Sequence, residues 1–364
     1  MSNQAISMYA LSLDQLQASI TAFGNKRTVL VQGHMGTGKS SLLKTLKQAM
    51  PNHTACYFDC TTKDLGDITI PQLQTLDDHG YVRYVTNEEL GLHLSKPIIL
   101  MVDEYGKANR AVQNAMLRLM LERKLGSYEL HRDSIVFATT NLGAEGVGDI
   151  LPAHARNRMT IVAARKPNNL EWIEWGINNG IDHTLLGWCK DNPQLFQSFE
   201  DIKDPDQNPY IFHPKASRTS FVTPRSLEAA SDILKVRDAI DDQSLTANLM
   251  GTIGERAAMD LMAFVKLSDQ LPSLDSIKKD PLNAKVPDSD AAVCMVVYRS
   301  LAVMERDWMD AWMDYMTRLD KEAQGLFANG VRNPKYNKQA VVMTNKKFTA
   351  WAMQNNYMFA ADKK

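Results

Sequence analysis

Apolar residues between Leu11 and Gly24 (LSLDQLQASITAFG) recur at helical spacing, which predicts an amphipathic helix closed by the glycine. A short β run, Thr28 to Gln32, comes next, then a glycine-rich turn and a helix from about Lys39 that Pro51 stops. Residues 55–60 (ACYFDC) read as a second strand. The turn residues Asp77, Asp78, His79 and Gly80 separate IPQLQTL from YVRYV and predict a hairpin. Residues 98–103 (IILMVD) are apolar without alternation, the pattern of a strand buried on both faces of a parallel sheet. A helix over 108–124 and two further strands, 134–141 (SIVFATTN) and 159–164 (MTIVAA), continue the alternation. Strands alternating with helices predict a parallel α/β sheet flanked by helices.

After Lys166 helical patterns take over, at 169–179, 184–190, 224–238 and 244–268. The polar stretch 191–222 reads as an irregular surface loop, and 269–290, rich in Pro, Asp and Lys, as a linker. Trp308, Met309, Trp312 and Met316 stand at helical spacing and are expected to pack in a core. The expected layout is an α/β core over 1–165, a helical unit over 166–268, and a linker with a helical C-terminal extension over 269–364.

Composition narrows the setting. With 364 residues, 44% of them hydrophobic, the chain can build two or three packed units. A formal net charge of −1 gives no global pull toward nucleic acid or anionic lipid. No apolar run reaches the roughly 18 residues of a membrane span, and the first residues do not read as a signal peptide. The four cysteines, Cys56, Cys60, Cys189 and Cys294, read as buried reduced thiols, so a cytoplasmic protein is expected.

The chemistry centres on Gly33, His34, Met35, Gly36, Thr37, Gly38, Lys39 and Ser40, which match G-x-x-x-x-G-K-[ST] in full. The glycines let the backbone curl so that successive N–H groups face phosphate oxygens, the helix that starts here adds its positive end, and Ser41 counts with the loop among the cofactor-binding residues. Lys39 would reach the β- and γ-phosphates of ATP, and the Ser40 hydroxyl would ligate Mg²⁺. Asp103 and Glu104 close the apolar strand, where carboxylates of a parallel sheet face the ligand crevice. Asp103 is placed to hold Mg²⁺ through water and Glu104 to polarise an attacking water.

With these residues in place, the chain resembles the AAA+ ATPases, and within them the MoxR type, over roughly 30–250. Asn141 resembles sensor 1, a polar side chain between the acidic pair and the γ-phosphate. The stretch from Leu151 to Met159 (LPAHARNRM) resembles the family segment ending in Asp-Arg-Phe, with Asn157 and Met159 departing from it. The resemblance implies an arginine finger there, either Arg156 or Arg158, reaching a neighbouring subunit. Thr223-Pro224-Arg225-Ser226 resembles sensor 2, an arginine reaching the nucleotide from the lid. Residues 66–90 and 124–133 sit where the MoxR type carries hairpins, and Asn109 to Leu117 resembles the sequence after its acidic motif.

The resemblance implies a homo-oligomeric ring, usually a hexamer, that couples ATP hydrolysis to remodelling a protein client. Such proteins often work with a partner bearing a von Willebrand factor A domain. A nucleic-acid motor or loader is the alternative, against which stand the near-neutral charge and the lack of a recognisable DNA-binding module. A scaffold that binds ATP without turning it over is a third reading, against which Glu104 argues.

Overall fold

A computed structural model of the chain describes residues 9–77, 79–141, 153–268, 271–334 and 336–359. It divides into two compact units, residues 1–166 and 167–364.

Among the described residues the first unit has nine strands: β1 (Val29–Gly33), β2 (Thr54–Asp59), β3 (Thr69–Leu76), β4 (His79–Thr86), β5 (Ile98–Asp103), β6 (Lys124–Leu125), β7 (Tyr128–Glu129), β8 (Ile135–Asn141) and β9 (Thr160–Ala163). Five form a parallel sheet in the order β2-β5-β8-β1-β9. Its helices are α1 (Leu13–Phe23), α2 (Ser41–Ala49), α3 (Leu65–Ile68), α4 (Arg110–Glu122) and α5 (Ala153–Arg156).

The apolar runs explain the layering. All six residues of β5 are buried. Successive residues point to opposite faces, so Leu30, Leu100, Val102, Val136 and Ala138 pack with Val112, Met116 and Leu119 of α4. Val29, Val31, Ile99, Met101, Ile135 and Phe137 pack on the other face with Leu16, Ile20, Leu42 and Leu46 of α1 and α2. Each fully buried aliphatic side chain contributes about 1.5–3 kcal/mol. Helix ends are set by caps: Ser12 and Gln15 form a capping box on α1, and the Asn109 side chain accepts from the Val112 N–H on α4.

The expected hairpin forms as β3–β4, but His79 and Gly80, expected in the turn, are the first residues of β4, opposite Leu76 and Thr75; Leu73 lies opposite Val82 and Gln72 opposite Arg83. Leu73 is 80% exposed and Ile70, Leu76, Val82 and Tyr84 are exposed as well, so the ribbon carries apolar side chains into solvent. The smaller hairpin β6–β7 stacks Tyr128 beneath the Arg83 guanidinium, 5.6 Å from the ring centre.

The second unit is helical, running through α6 (Asn169–Asn178), α7 (His183–Asp191), α8 (Pro224–Lys235), α9 (Asp242–Ile253), α10 (Glu255–Ser268), α11 (Leu274–Lys279), α12 (Asp290–Val303), α13 (Met309–Met316), α14 (Lys321–Arg332), α15 (Gln339–Met343) and α16 (Lys346–Gln354). One core joins these helices, with Trp312 and Met316 fully buried and Trp308 and Met309 nearly so.

Three expectations for this half are corrected. The single helix over 244–268 is two, broken at Gly254, whose φ of 90° and ψ of 156° suit only glycine. Segment 191–222 is irregular but anchored inward. Leu195, Ile211 and Val222 are buried, the Arg218 guanidinium donates to the carbonyls of Pro205 at 2.7 Å, Asn208 at 3.0 Å and Ile211, and Asn208 is itself buried. Segment 269–290 is not a loose linker: Ile277 of α11 and Ala284 lie in the core, and Tyr315 donates to the Lys285 carbonyl at 2.8 Å. Polar composition misled in both segments because side chains satisfy backbone groups there that water would otherwise serve.

A Cβ on Gly254 would stand 2.6 Å from the Ser220 carbonyl oxygen. Gly254→Ala therefore combines a clash with forbidden backbone and is expected to destabilise the protein by about 2–3 kcal/mol. The check is the thermal unfolding midpoint, which should fall by several degrees; an unchanged midpoint would contradict the geometry.

Candidate functional site

The site lies at the carboxyl ends of β1, β5 and β8. In the sheet order, β8 separates the strand that feeds the glycine-rich loop from the strand that ends in the acidic pair. Register sets Gly33 beside Asn141 and Val102 beside Ala138.

The loop after β1 runs from His34 to Ser40, with positive φ at Gly36 (69°) and Gly38 (92°). A side chain at Gly38 would need the left-handed region, which only glycine enters freely. Thr37 Oγ1 donates to the His34 carbonyl at 2.9 Å and Ser41 Oγ to the Gly38 carbonyl at 2.6 Å, which fixes the curl. Ser40 is the N-cap of α2 yet makes no capping bond with its side chain, so its hydroxyl is not consumed by the helix end. Lys39 is 7% exposed. Its ammonium folds back to donate to the carbonyls of Gly33 (2.8 Å) and His34 (2.7 Å) and to Asn141 Oδ1 (2.8 Å).

Asp103 is 9% exposed, and burying a carboxylate is costly unless donors compensate. They do. Tyr57 donates to Oδ2 at 2.8 Å, while Oδ1 accepts from the Thr139 hydroxyl and from the Glu104 N–H at 3.1 Å. Burial, and then the hydrogen bond and charge of Asp103, push the Tyr57 phenol above its ordinary range, so it stays a donor at neutral pH.

Glu104 adopts left-handed backbone, φ 50° and ψ 36°, which costs a non-glycine residue about 1–2 kcal/mol. The turn Tyr105–Lys107 follows. Gln113 Nε2 pins it by donating to the carbonyls of Gly106 (3.3 Å) and Ala108 (3.0 Å). Glu104 Oε1 accepts from Asn141 Nδ2 at 2.9 Å, and Lys107 Nζ stands 3.1 Å from Oε2. One amide thus joins the loop lysine to the acidic strand.

The structure brings together Lys39, Asp103, Glu104 and Asn141 and seats Gly33 to Ser41 around them. Arg156 and Arg158 are exposed, Arg156 ending α5 and Arg158 donating its N–H to the Ala155 carbonyl at 3.1 Å; neither joins the hydrogen-bonded group among the described residues. Leu151 and Pro152 lie outside the described residues. Arg225 belongs to the second unit, exposed in the first turn of α8, whose Thr223 and Ser226 form a capping box. Sequence reasoning missed Tyr57, Thr139 and Lys107. Two threonines in the buried strand SIVFATTN were a signal for Thr139, because a buried hydroxyl needs a partner. Lys107, three residues after Glu104, carried the spacing of a one-turn ion pair.

Residues 28–169 match the family model for an AAA domain of the dynein-related subfamily. The matched stretch covers most of the first unit. Its sheet order and loop are those of the AAA+ P-loop fold, followed by many helices. Domains of this family are ATPases, which supports ATP hydrolysis in general terms. Among solved structures, the Thermotoga maritima RuvB Holliday junction branch migration motor is 14% identical over 74% of this chain and 75% of that chain, with a TM-score of 0.34. A candidate ATPase of Cytophaga hutchinsonii is 12% identical over 88% of this chain and 86% of that chain, with a TM-score of 0.36. At such values neither structure informs function. No curated protein matches the sequence.

The Thr139 hydroxyl both donates to Asp103 and accepts from the Glu104 N–H at 3.3 Å. Thr139→Val keeps the shape and removes both bonds, so it is expected to cost about 1–3 kcal/mol. Thr139→Ser should retain most of the stability; denaturant titration of the three proteins gives the comparison.

Proposed function

We propose that this chain is an ATP-hydrolysing AAA+ ring protein of the MoxR type that remodels or activates a protein client. One observation carries the reading: the Asn141 amide connects Lys39 to Glu104 while Asp103 is held beside them. Lys39 and the loop N–H groups would bind the phosphates of ATP. Ser40 and Asp103 are oxygen donors, the kind a hard cation such as Mg²⁺ takes together with phosphate oxygens. When bound, the cation would neutralise phosphate charge. The Ser40 hydroxyl free of capping and the fixed Asp103 carboxylate fit that demand. Glu104 would accept the proton of an attacking water, and Asn141 would hold Glu104 in place.

The finer parts rest on resemblance to the family. Arg156 or Arg158 would act as the finger on the next subunit's nucleotide, their exposure leaving them able to reach outward. Arg225 would serve as sensor 2. A hexameric ring, a client and a partner with a von Willebrand factor A domain belong to the same reading. The exposed apolar ribbon of β3–β4 supports an interaction surface, because contiguous exposed apolar side chains mark such sites. No helix among the described residues is long and apolar enough to cross a membrane.

Glu104→Gln should retain ATP binding and lose hydrolysis by about 10²–10⁴-fold, the weight of a general base. Lys39→Ala should lose both. Phosphate release and binding of a fluorescent ATP analogue measure the two. Capture of Glu104→Gln with ATP from its native lysate, read by mass spectrometry, then names the client. Hydrolysis stimulated by DNA, with nucleic acid in the captured complex, would replace the remodeler by a nucleic-acid motor. Equal hydrolysis by wild type and Glu104→Gln would refute the assignment of Glu104.

A further inference from the structure

Glu104 Oε2 is buried, makes no hydrogen bond among the described residues, and yet lies 3.1 Å from the Lys107 ammonium. Its sister oxygen is taken by Asn141. Read across the crevice, the order is Lys39 ammonium, Asn141 amide, Glu104 carboxylate, Lys107 ammonium. The two cations differ in what they can do. Lys39 belongs to the phosphate loop, so a bound nucleotide would compete for it. Lys107 sits on the turn after Glu104, and that turn cannot drift. Gln113 ties its carbonyls, Tyr105 is buried with its hydroxyl donating to the Gln113 carbonyl at 3.1 Å, and a Cβ on Gly106 would stand only 2.3 Å from Thr140 Oγ1. Lys107 and Glu104 side chains are 24% and 23% exposed, so water screens their attraction only in part.

The geometry has a chemical use. A carboxylate acting on water needs one oxygen fixed in place with a lone pair unspent. A cation close to Oε2 but outside hydrogen-bond alignment steers that oxygen by charge and leaves its lone pair open.

We infer that Lys107 is a positioning residue for Glu104, holding its carboxylate toward the attacking water once nucleotide draws Lys39 away from Asn141. The inference rests on the ATPase reading and adds to it a residue outside the glycine-rich loop and the acidic pair. Lys107 touches neither phosphate nor water in this role; it acts through Glu104.

The test is steady-state hydrolysis of Mg-ATP by the full chain as wild type, Lys107→Met, Lys107→Arg and Glu104→Gln. Lys107→Met should lower kcat about tenfold while KM for ATP stays within about twofold, since misplacing a reacting group costs rate rather than ground-state binding. Lys107→Arg should recover at least about half of the lost rate, because it restores the charge. If Lys107→Met does not fold, Lys107→Gln gives the same comparison with a polar, uncharged chain. An unchanged or raised kcat, a KM that rises in step with the loss of kcat, or no recovery by Lys107→Arg overturns the inference while leaving the ATPase reading intact. A wild type no faster than Glu104→Gln overturns both.

Discussion

The insertion of β8 between β1 and β5 is the constraint on which the site depends. The loop lysine comes from one flanking strand and the acidic pair from the other. Only a side chain on the strand between them is adjacent to both in register. Asn141 ends that strand opposite Gly33, and its amide carries an acceptor for Lys39 and a donor for Glu104. An ionised carboxylate at this position could accept from Lys39 but could not donate to Glu104. Sheet order therefore decides that the glycine-rich loop and the acidic pair are joined through this one side chain.

Holding this arrangement is costly, and the fold offsets it locally. Asp103 is buried with three donors, Glu104 is in left-handed backbone, and Lys39 is desolvated. Each would be unfavourable alone. The strands beneath them are covered on both faces by apolar side chains of α1, α2 and α4. Strain collects at the sheet's carboxyl edge because a parallel sheet leaves its last carbonyls and N–H groups there, and the Thr139 and Tyr57 hydroxyls spend that polarity on Asp103.

The local parts of this site were legible in the sequence, because each is a run of neighbours. Gly33 to Ser40 spells out a loop, IILMVD a buried strand with acids at its end, and SIVFATTN a strand ending in Asn141. Pairing was not legible. That Tyr57 of β2 donates to Asp103 follows from β2 lying beside β5, a long-range fact with no signature in either segment. The same limit hid the anchored loop 191–222, where Arg218 binds carbonyls up to 13 residues away and composition alone reads as solvent-facing. The break at Gly254 was missed for a different reason: helical periodicity continues on both sides, and only the backbone conformation of the glycine itself interrupts the helix.

The position of Lys39 also bears on how occupancy of the loop would be felt at Glu104. Its ammonium already donates to carbonyls of its own loop and to Asn141 Oδ1. A triphosphate must therefore replace existing bonds rather than fill an empty site. The ammonium here meets neutral acceptors, whereas phosphate oxygens carry the opposite charge, so the exchange would favour the nucleotide. The loop carbonyls lose a partner that is readily replaced by water. Asn141 Oδ1 loses the anchor at one end of an amide whose other end holds Glu104. On the proposed reading, phosphate binding and carboxylate placement would be linked through one side chain, an amide with a donor and an acceptor fixed at opposite corners.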